Sequence, residues 1–293
     1  MKIIRYILLI LILCAVVTGC TKAEKETIAV GAKDFTEQYI LGNMLVVLLE
    51  NNTDFEVSYS DNMASHVIFA AINTGVIDLY VDYTGTIYGY YLDMHDTKDP
   101  VEVHKNSSRE LMERYQLRLL GFLGFNNSFN LAVRQSTAEQ YGLRTFSDLA
   151  AVSSDMIFGG SVEIITRTDG LPNLKKLYDM SFKDERVFHN EERYPAISND
   201  EVQVSEVFTT DWQITEYNLV VLEDDKNFFP PYHGVIVIRD DLAQRHPGLV
   251  TELERLEGLL TDDVMRSLNF RVEKSGESPR DVAESFLREA GLI

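Results

Sequence analysis

The chain opens with two basic residues, Lys2 and Arg5, followed by a nearly unbroken apolar run from Tyr6 to Val17. About a dozen apolar residues fall short of the roughly 20 that span a bilayer, and the flanks are those of a secretory signal. After a polar stretch, "TIAVGA" reads as a β-branched strand. Asp34 stands three residues before Glu37, the capping-box spacing, and Ile40, Leu41, Met44, Leu45, Leu48 and Leu49 recur at helical intervals, which predicts a helix. "FEVSYS" is a second strand. Ser65 opens a second helix with Val67, Ile68, Ala71 and Ile72 on one face, and Gly75 lies past its end, where a left-handed residue is needed. "VIDLYV" is a third strand. Strands alternating with helices at this spacing predict a parallel sheet, because parallel neighbours need a crossover.

A third helix, capped by Ser107 with Glu110, leads to the strand patterns "LRLLGF" and "NLAVR". The alternation then restarts with a helix near 147–151, a strand "MIFGG", a helix near 172–180 and a strand "VQVSEVF". Past "LVVLEDD" and the rigid "FFPPY", a strand "GVIVIR" and three amphipathic helices (about 240–258, 261–271 and 278–290) complete the pattern. Two α/β units without a low-complexity linker predict two lobes joined by strands, an arrangement that permits hinge bending about a cleft. The expected organisation is a signal over 1–19, a tether over 20–27, a first part of lobe I over 28–124, lobe II over 125–228, and a return of lobe I over 229–293.

Composition changes the picture in one respect, the partner. Of 293 residues, 27 are basic and 46 acidic. Losing residues 1–19 leaves 293 − 19 = 274, and with Lys2 and Arg5 gone the charge becomes 25 − 46 = −21. That balance argues against nucleic acid and anionic lipid, which demand clustered Lys and Arg. Val17-Thr18-Gly19-Cys20 resembles the bacterial lipoprotein processing box, which would make Cys20 the lipidated first residue of the mature chain; the alternative is an ordinary signal anchor with an incidental cysteine. Cys14 leaves with the signal, so no internal disulfide is expected. No second apolar run approaches spanning length, and the protein is expected to be held by acyl chains on the outer face of a bacterial cytoplasmic membrane.

Catalytic chemistry finds no foothold. There is no G-x-S-x-G elbow, no H-E-x-x-H and no P-loop. "DMHDTKD" concentrates carboxylates without the order of a calcium loop, and the six histidines are scattered. Neither an enzyme, a cofactor nor a metal is expected. The aromatic residues are more informative: "LYVDYTGTIYGYY", residues 79–91, holds five of the fourteen tyrosines at the end of a buried strand. In parallel α/β sheets ligands collect beyond the carboxyl ends of strands, where "DYTGT" falls.

Several stretches carry a family resemblance: "VGAKDFTEQYILGNML", "GVIDLYVDYTGT", "LGFNNSFNLAVR", "DGLPNLKKLY" and "LVVLEDDKNFFPPY". Over about 28–290 the chain resembles the substrate-binding proteins of glycine betaine, choline and carnitine ABC importers. The resemblance implies an α/β, two-lobed type II periplasmic-binding-protein fold that closes on a quaternary ammonium solute and presents it, as a monomer, to permease subunits. A trimethylammonium head donates no hydrogen bond, so aromatic faces must hold it. At roughly 0.5–2 kcal/mol per ring, four rings supply about 2–8 kcal/mol, against the about 8 kcal/mol of micromolar binding. A second, polar contact is required.

Carried over position by position, the family's aromatic box falls on Tyr83, Phe129, Tyr194 and Phe208, two of its four tyrosines being phenylalanine here. Trp212 is either a fifth wall or a helix-packing residue. For the polar end the candidates are Ser65 and His66 at the second helix's start, Thr84 and Thr86 in the turn, and Asn127 beside Phe129; His66 is equally readable as a capping or surface histidine. Asp82 reads as a complement to the cation or as a turn former. Tyr80 reads as core or crevice lining, and Tyr88, Tyr90 and Tyr91 as helix packing. Because His66, Phe129, Phe208 and Trp212 depart from the usual lining, a larger betaine such as ergothioneine competes with the osmoprotectants. A sensory lipoprotein of the same fold is the rival of a different class.

Overall fold

The computed structural model describes residues 25–166, 170–189 and 192–293; the expected signal, Cys20 and most of the tether lie outside them. The strands run in chain order as Thr27–Lys33 (β1), Glu56–Met63 (β2), Leu79–Tyr83 (β3), Leu117–Asn126 (β4), Phe129–Arg134 (β5), Ile157–Gly160 (β6), Asp184–Val187 (β7), Val204–Phe208 (β8), Leu219–Val221 (β9) and His233–Arg239 (β10). They form two five-stranded sheets, ordered β2-β1-β3-β10-β4 and β7-β6-β8-β5-β9. The chain therefore builds most of one lobe, crosses to build the second, and returns.

The parallel expectation holds for part of each sheet. β1 pairs in parallel with β2 and β3, whereas β10 is antiparallel to both β3 and β4, with Gly234 opposite Tyr83. In the second sheet β6 is parallel to β7 and β8, and β5 is antiparallel to β8 and β9. Hydrophobic periodicity locates a strand but carries no information on the direction of a neighbour supplied from 150 residues away.

The helix Thr36–Asn52 buries Ile40, Leu41, Met44, Leu45, Leu48 and Leu49, and also Val46 and Val47 on its other flank. A helix apolar all round belongs between two layers. Here it lies between the first sheet and the helices Pro247–Glu254, Asp262–Glu273 and Pro279–Glu289. Burying each large aliphatic side chain contributes about 1.5–3 kcal/mol, so this helix fixes the base on which β1 and β3 sit.

Three local expectations are corrected. Phe35, not Asp34, is the N-cap of Thr36–Asn52, without a side-chain cap; the Asp34 carboxylate accepts from the Tyr39 hydroxyl instead, and Glu37 turns inward. The third helix runs Pro100–Tyr115 and is capped by Asp99, which accepts from the Val101 and Glu102 amides, so Ser107 lies inside it and is buried. Asp-Pro starts a helix more strongly than a serine in mid-pattern, since proline's missing N–H costs nothing at the first turn. The first C-terminal helix is two, Asp240–Arg245 and Pro247–Glu254, split where Pro247 has no donor to continue the ladder. Gly75 does take the left-handed conformation, with φ +73°.

Two segments cross between the lobes: Asn127 and Ser128 between β4 and β5, and residues 222–232 between β9 and β10. They are stitched together. The Asn127 amide donates to the Tyr232 carbonyl at 3.1 Å, the Tyr232 amide to Asn126 Oδ1 at 2.7 Å, and Ser128 Oγ to the Pro230 carbonyl at 3.3 Å.

Candidate functional site

The carboxyl ends of β1, β3 and β8, the first residue of β5, the start of helix Ser65–Asn73 and the second crossover converge on a cleft between the lobes. One hollow of about 230 Å³ is walled by five rings, Phe35, Tyr83, Phe129, Phe208 and Tyr232, with Lys33, Ser65, Thr86 and Asn127 as its polar members. Phe129 and Phe208 are directly opposed in the antiparallel register of β5 and β8, so their side chains leave the same face of the sheet. Their centroids are 4.5 Å apart at 40°. A second hollow of about 800 Å³ shares Ser65, Thr86, Phe129 and Tyr232 with the first and extends past Tyr88, Met94, His95 and Lys98 on one side and Ile164, Asn173, Phe228 and Phe229 on the other.

Tyr83 sits at the end of β3 and is 5% exposed. Its hydroxyl donates to Glu37 Oε1 at 2.7 Å and accepts from Gln38 Nε2 at 3.1 Å. Burial, with the Glu37 carboxylate second, pushes its phenol well above the usual range, so it acts as a neutral donor. Phe35 stacks on it at 6.2 Å, and Phe125 meets it edge-on at 6.2 Å. Lys33 Nζ lies 5.1 Å from the Tyr83 centroid and is ion-paired with Asp82, both side chains being buried. Asp82 Oδ1 also accepts from the Tyr83 amide at 2.7 Å. Asp82 is thus neither a turn former nor open to the cleft; it holds a lysine against the ring.

Beneath the hollow, Glu37 is 3% exposed. Desolvation raises its carboxyl above the ordinary value, and hydrogen bonds from Tyr83, Thr210, Asn127 and Asn269 oppose that rise.

The other expected residues are distributed unevenly. Ser65, Thr86 and Asn127 reach the smaller hollow. Thr84 is fully buried and structural: its Oγ1 donates to the Pro231 carbonyl at 3.0 Å and accepts from the His233 amide at 3.1 Å, tying β3 to the second crossover. His66 is exposed and lines neither hollow. Tyr194 is fully buried in the second lobe's core, with its hydroxyl on Asp211 and the Arg193 guanidinium 4.6 Å from its centroid, and it lines neither hollow. Trp212 takes the packing alternative. It meets Phe270 edge-on at 5.6 Å, and its Nε1 donates to Glu273 Oε2 at 2.7 Å, which joins the second lobe to helix Asp262–Glu273 of the first.

Of the remaining tyrosines, Tyr80 is core, while Tyr88, Tyr90 and Tyr91 belong to a π-helical turn, Thr86–Tyr91. Tyr91 stacks on Phe69 and donates to the Ser65 carbonyl, which steadies the helix start at the cleft. Tyr88 and Tyr90 also line the larger hollow. Sequence reasoning missed Lys33, Phe35, Glu37 and Tyr232. Phe35 left a signal: a large ring beside a helix start, outside the helical apolar repeat, that stays 39% exposed.

Among the described residues no group of three or more His, Cys, Asp or Glu could hold a metal ion, and no helix is long and apolar enough to cross a membrane.

The family model described as the substrate binding domain of the ABC-type glycine betaine transport system matches residues 26–289. The chain is 35% identical over 274 residues to the ergothioneine transport permease/ergothioneine binding protein EgtU of Helicobacter pylori, covering 92% of this chain and 48% of that one, so it spans about half of that relative's length. It is 32% identical to the carnitine transport binding protein OpuCC of Listeria monocytogenes, covering 92% of this chain and 89% of the relative. A glycine-betaine-binding protein of Pseudomonas aeruginosa is 31% identical, with 96% and 93% covered. In three dimensions the chain superposes with a TM-score of 0.87 and 29% identity on the crystal structure of a glycine betaine/carnitine/choline ABC transporter, covering 90% of this chain and 99% of that one.

Proposed function

The chain belongs to the family of substrate-binding domains of ABC-type glycine betaine transport systems, and from that membership we propose that it captures a quaternary ammonium solute between its lobes and hands it to permease subunits. Glycine betaine, carnitine and choline are the candidate solutes. The carrying observation is the convergence of Phe35, Tyr83, Phe129, Phe208 and Tyr232, from both lobes and a crossover, on one small hollow. Rings attract an onium through their quadrupoles without needing a hydrogen bond. The cation faces the phenylalanine side, because Lys33 already occupies the neighbourhood of Tyr83. Lys33, Ser65, Thr86 and Asn127 supply the polar contact that rings alone lack, which favours zwitterions bearing a carboxylate over choline. The protein works as a monomer, performs no catalysis, and is held at the outer membrane face through Cys20. Its lobes, near 28–124 with 229–293 and 125–228, close about the two stitched crossovers.

A second reading has its own support: the hollow of about 800 Å³ that opens from the ring-lined one. Pockets for drug-sized ligands measure roughly 300–1,000 Å³, so a betaine with a ring or long tail, such as ergothioneine, has room there, and one relative bears that solute's name. Calorimetric titration with glycine betaine, carnitine, choline and ergothioneine decides. Binding to none of the four refutes the onium reading, and a clear preference for ergothioneine selects the second.

A further inference from the structure

The Glu37 carboxylate lies within the first turn of helix Thr36–Asn52, almost wholly buried, and touches no solute in the reading above. Its environment is unusual in what it lacks and in what it joins. Its Oε1 accepts from the Tyr83 hydroxyl at 2.7 Å and from Asn127 Nδ2 at 3.0 Å, and its Oε2 accepts from Asn269 Nδ2 at 3.2 Å. These donors are all neutral. With the Thr210 side chain, which also hydrogen-bonds this carboxylate, they come from four places: the end of β3, the first crossover, helix Asp262–Glu273 and the segment that follows β8. Asn269 Nδ2 also donates to the Thr210 carbonyl at 3.1 Å, which carries the connection to the segment that follows β8 and Phe208. A buried anion held by neutral donors at a helix N-terminus is costly unless every donor is aligned.

We propose that Glu37 is a positioning residue for solute capture, its carboxylate locking the Tyr83 ring and the Asn127 amide of the hollow to the Asn269–Thr210 contact across the lobe junction. The inference rests on the onium-binding reading of that hollow.

Only a carboxylate meets all these donors with acceptors. A glutamine at position 37 turns an NH₂ toward one of them. Facing Asn269, it forces that amide to invert, which sets Asn269 Oδ1 against the Thr210 carbonyl. Facing Tyr83 and Asn127, it leaves the phenol hydrogen without its acceptor. Either way one side of the connection is lost while size and shape are kept. The inner oxygens Asn127 Oδ1 and Asn269 Oδ1 are themselves buried without a partner, so both amides are oriented by what their nitrogens meet.

The test is a double-mutant cycle on the mature protein, with Glu37→Gln, Tyr83→Phe and the pair, read by glycine betaine affinity and by thermal unfolding without ligand. Positioning predicts that Glu37→Gln weakens betaine binding by about tenfold and that the pair is no weaker than the worse single variant, because both break one connection. Losses that multiply, or an unchanged affinity in Glu37→Gln, overturn the proposal. If Glu37→Gln has no cooperative unfolding transition, Asn269→Ala takes its place. Asn269 lines neither hollow, so a weakened affinity supports positioning and an unchanged one overturns it. If the wild-type protein binds no onium, the functional reading fails separately, and the ligand-free cycle still reports whether Glu37 and Tyr83 are coupled.

Discussion

Replacing Phe129 by leucine separates a cation held by rings from a cation merely accommodated by greasy walls. Phe129 is half-buried, lines both hollows, and packs 4.5 Å from Phe208 and 6.1 Å from Phe229. Leucine keeps most of the apolar contact but removes the quadrupole. One ring's attraction for an onium is about 0.5–2 kcal/mol, and tenfold in affinity is about 1.4 kcal/mol, so glycine betaine should bind about 2- to 30-fold more weakly. The informative comparison is 3,3-dimethylbutanoate, the neutral-headed isostere in which carbon replaces the ammonium nitrogen. Its affinity depends on shape and apolar contact, both largely retained. The measurement is the ratio of the two affinities by calorimetry, in wild type and variant. A cation held by rings gives a strong preference for glycine betaine in wild type and a fall in that ratio by the same about 2- to 30-fold in the variant. Equal losses for both ligands would refute it, because the ring would then act only as a hydrophobic wall. Loss of the Phe129–Phe208 pair also costs about 0.5–1.5 kcal/mol of stability, which a denaturant titration measures independently.

Tyr83→Ala should destabilise the fold by about 3–5 kcal/mol, since the ring is buried in the first lobe's core; chemical denaturation checks this, and Tyr83→Phe is the variant suited to binding studies. Thr84→Val should lower stability by about 1–3 kcal/mol by stranding the Pro231 carbonyl and the His233 amide, while the affinity of the folded fraction for betaine stays the same. Trp212→Phe should leave betaine affinity within about twofold, because the indole bonds Glu273 rather than lining a hollow. Asp241, held down to about 2 by Arg239 and then Arg245, has a folded value below its unfolded one. Its contribution is therefore present above about 3.8 and lost as pH falls toward about 2. Asp241→Asn should flatten that part of an acid-unfolding profile, by a small amount because the side chain is half exposed and screened.

Much of the fold could be read from local pattern. The helix Thr36–Asn52, the strand into "DYTGT" and the restart of alternation near residue 130 all follow from short-range periodicity, and each is found. Boundaries failed where a cap competed, as at Asp99 against Ser107, and at Pro247, where the apolar repeat runs on but the backbone cannot. The site divided similarly. Phe129 and Phe208 meet in the cleft because strand register opposes them. Tyr194 sits on a short helix rather than a strand and is buried in the second lobe's core with its hydroxyl on Asp211, while Phe35 emerges beside Tyr83.

What the sequence determined alone was the order of the elements, because apolar periodicity and turn chemistry act over a few residues; the class of protein was legible only through the resemblance of whole motifs to a known family. Which rings face the cleft was settled only in three dimensions. Burial of a side chain depends on partners far along the chain: Glu37 meets Tyr83 46 residues on, and Asn269 232 residues on. Contacts of that separation come from sheet order and crossovers, and no local pattern encodes them.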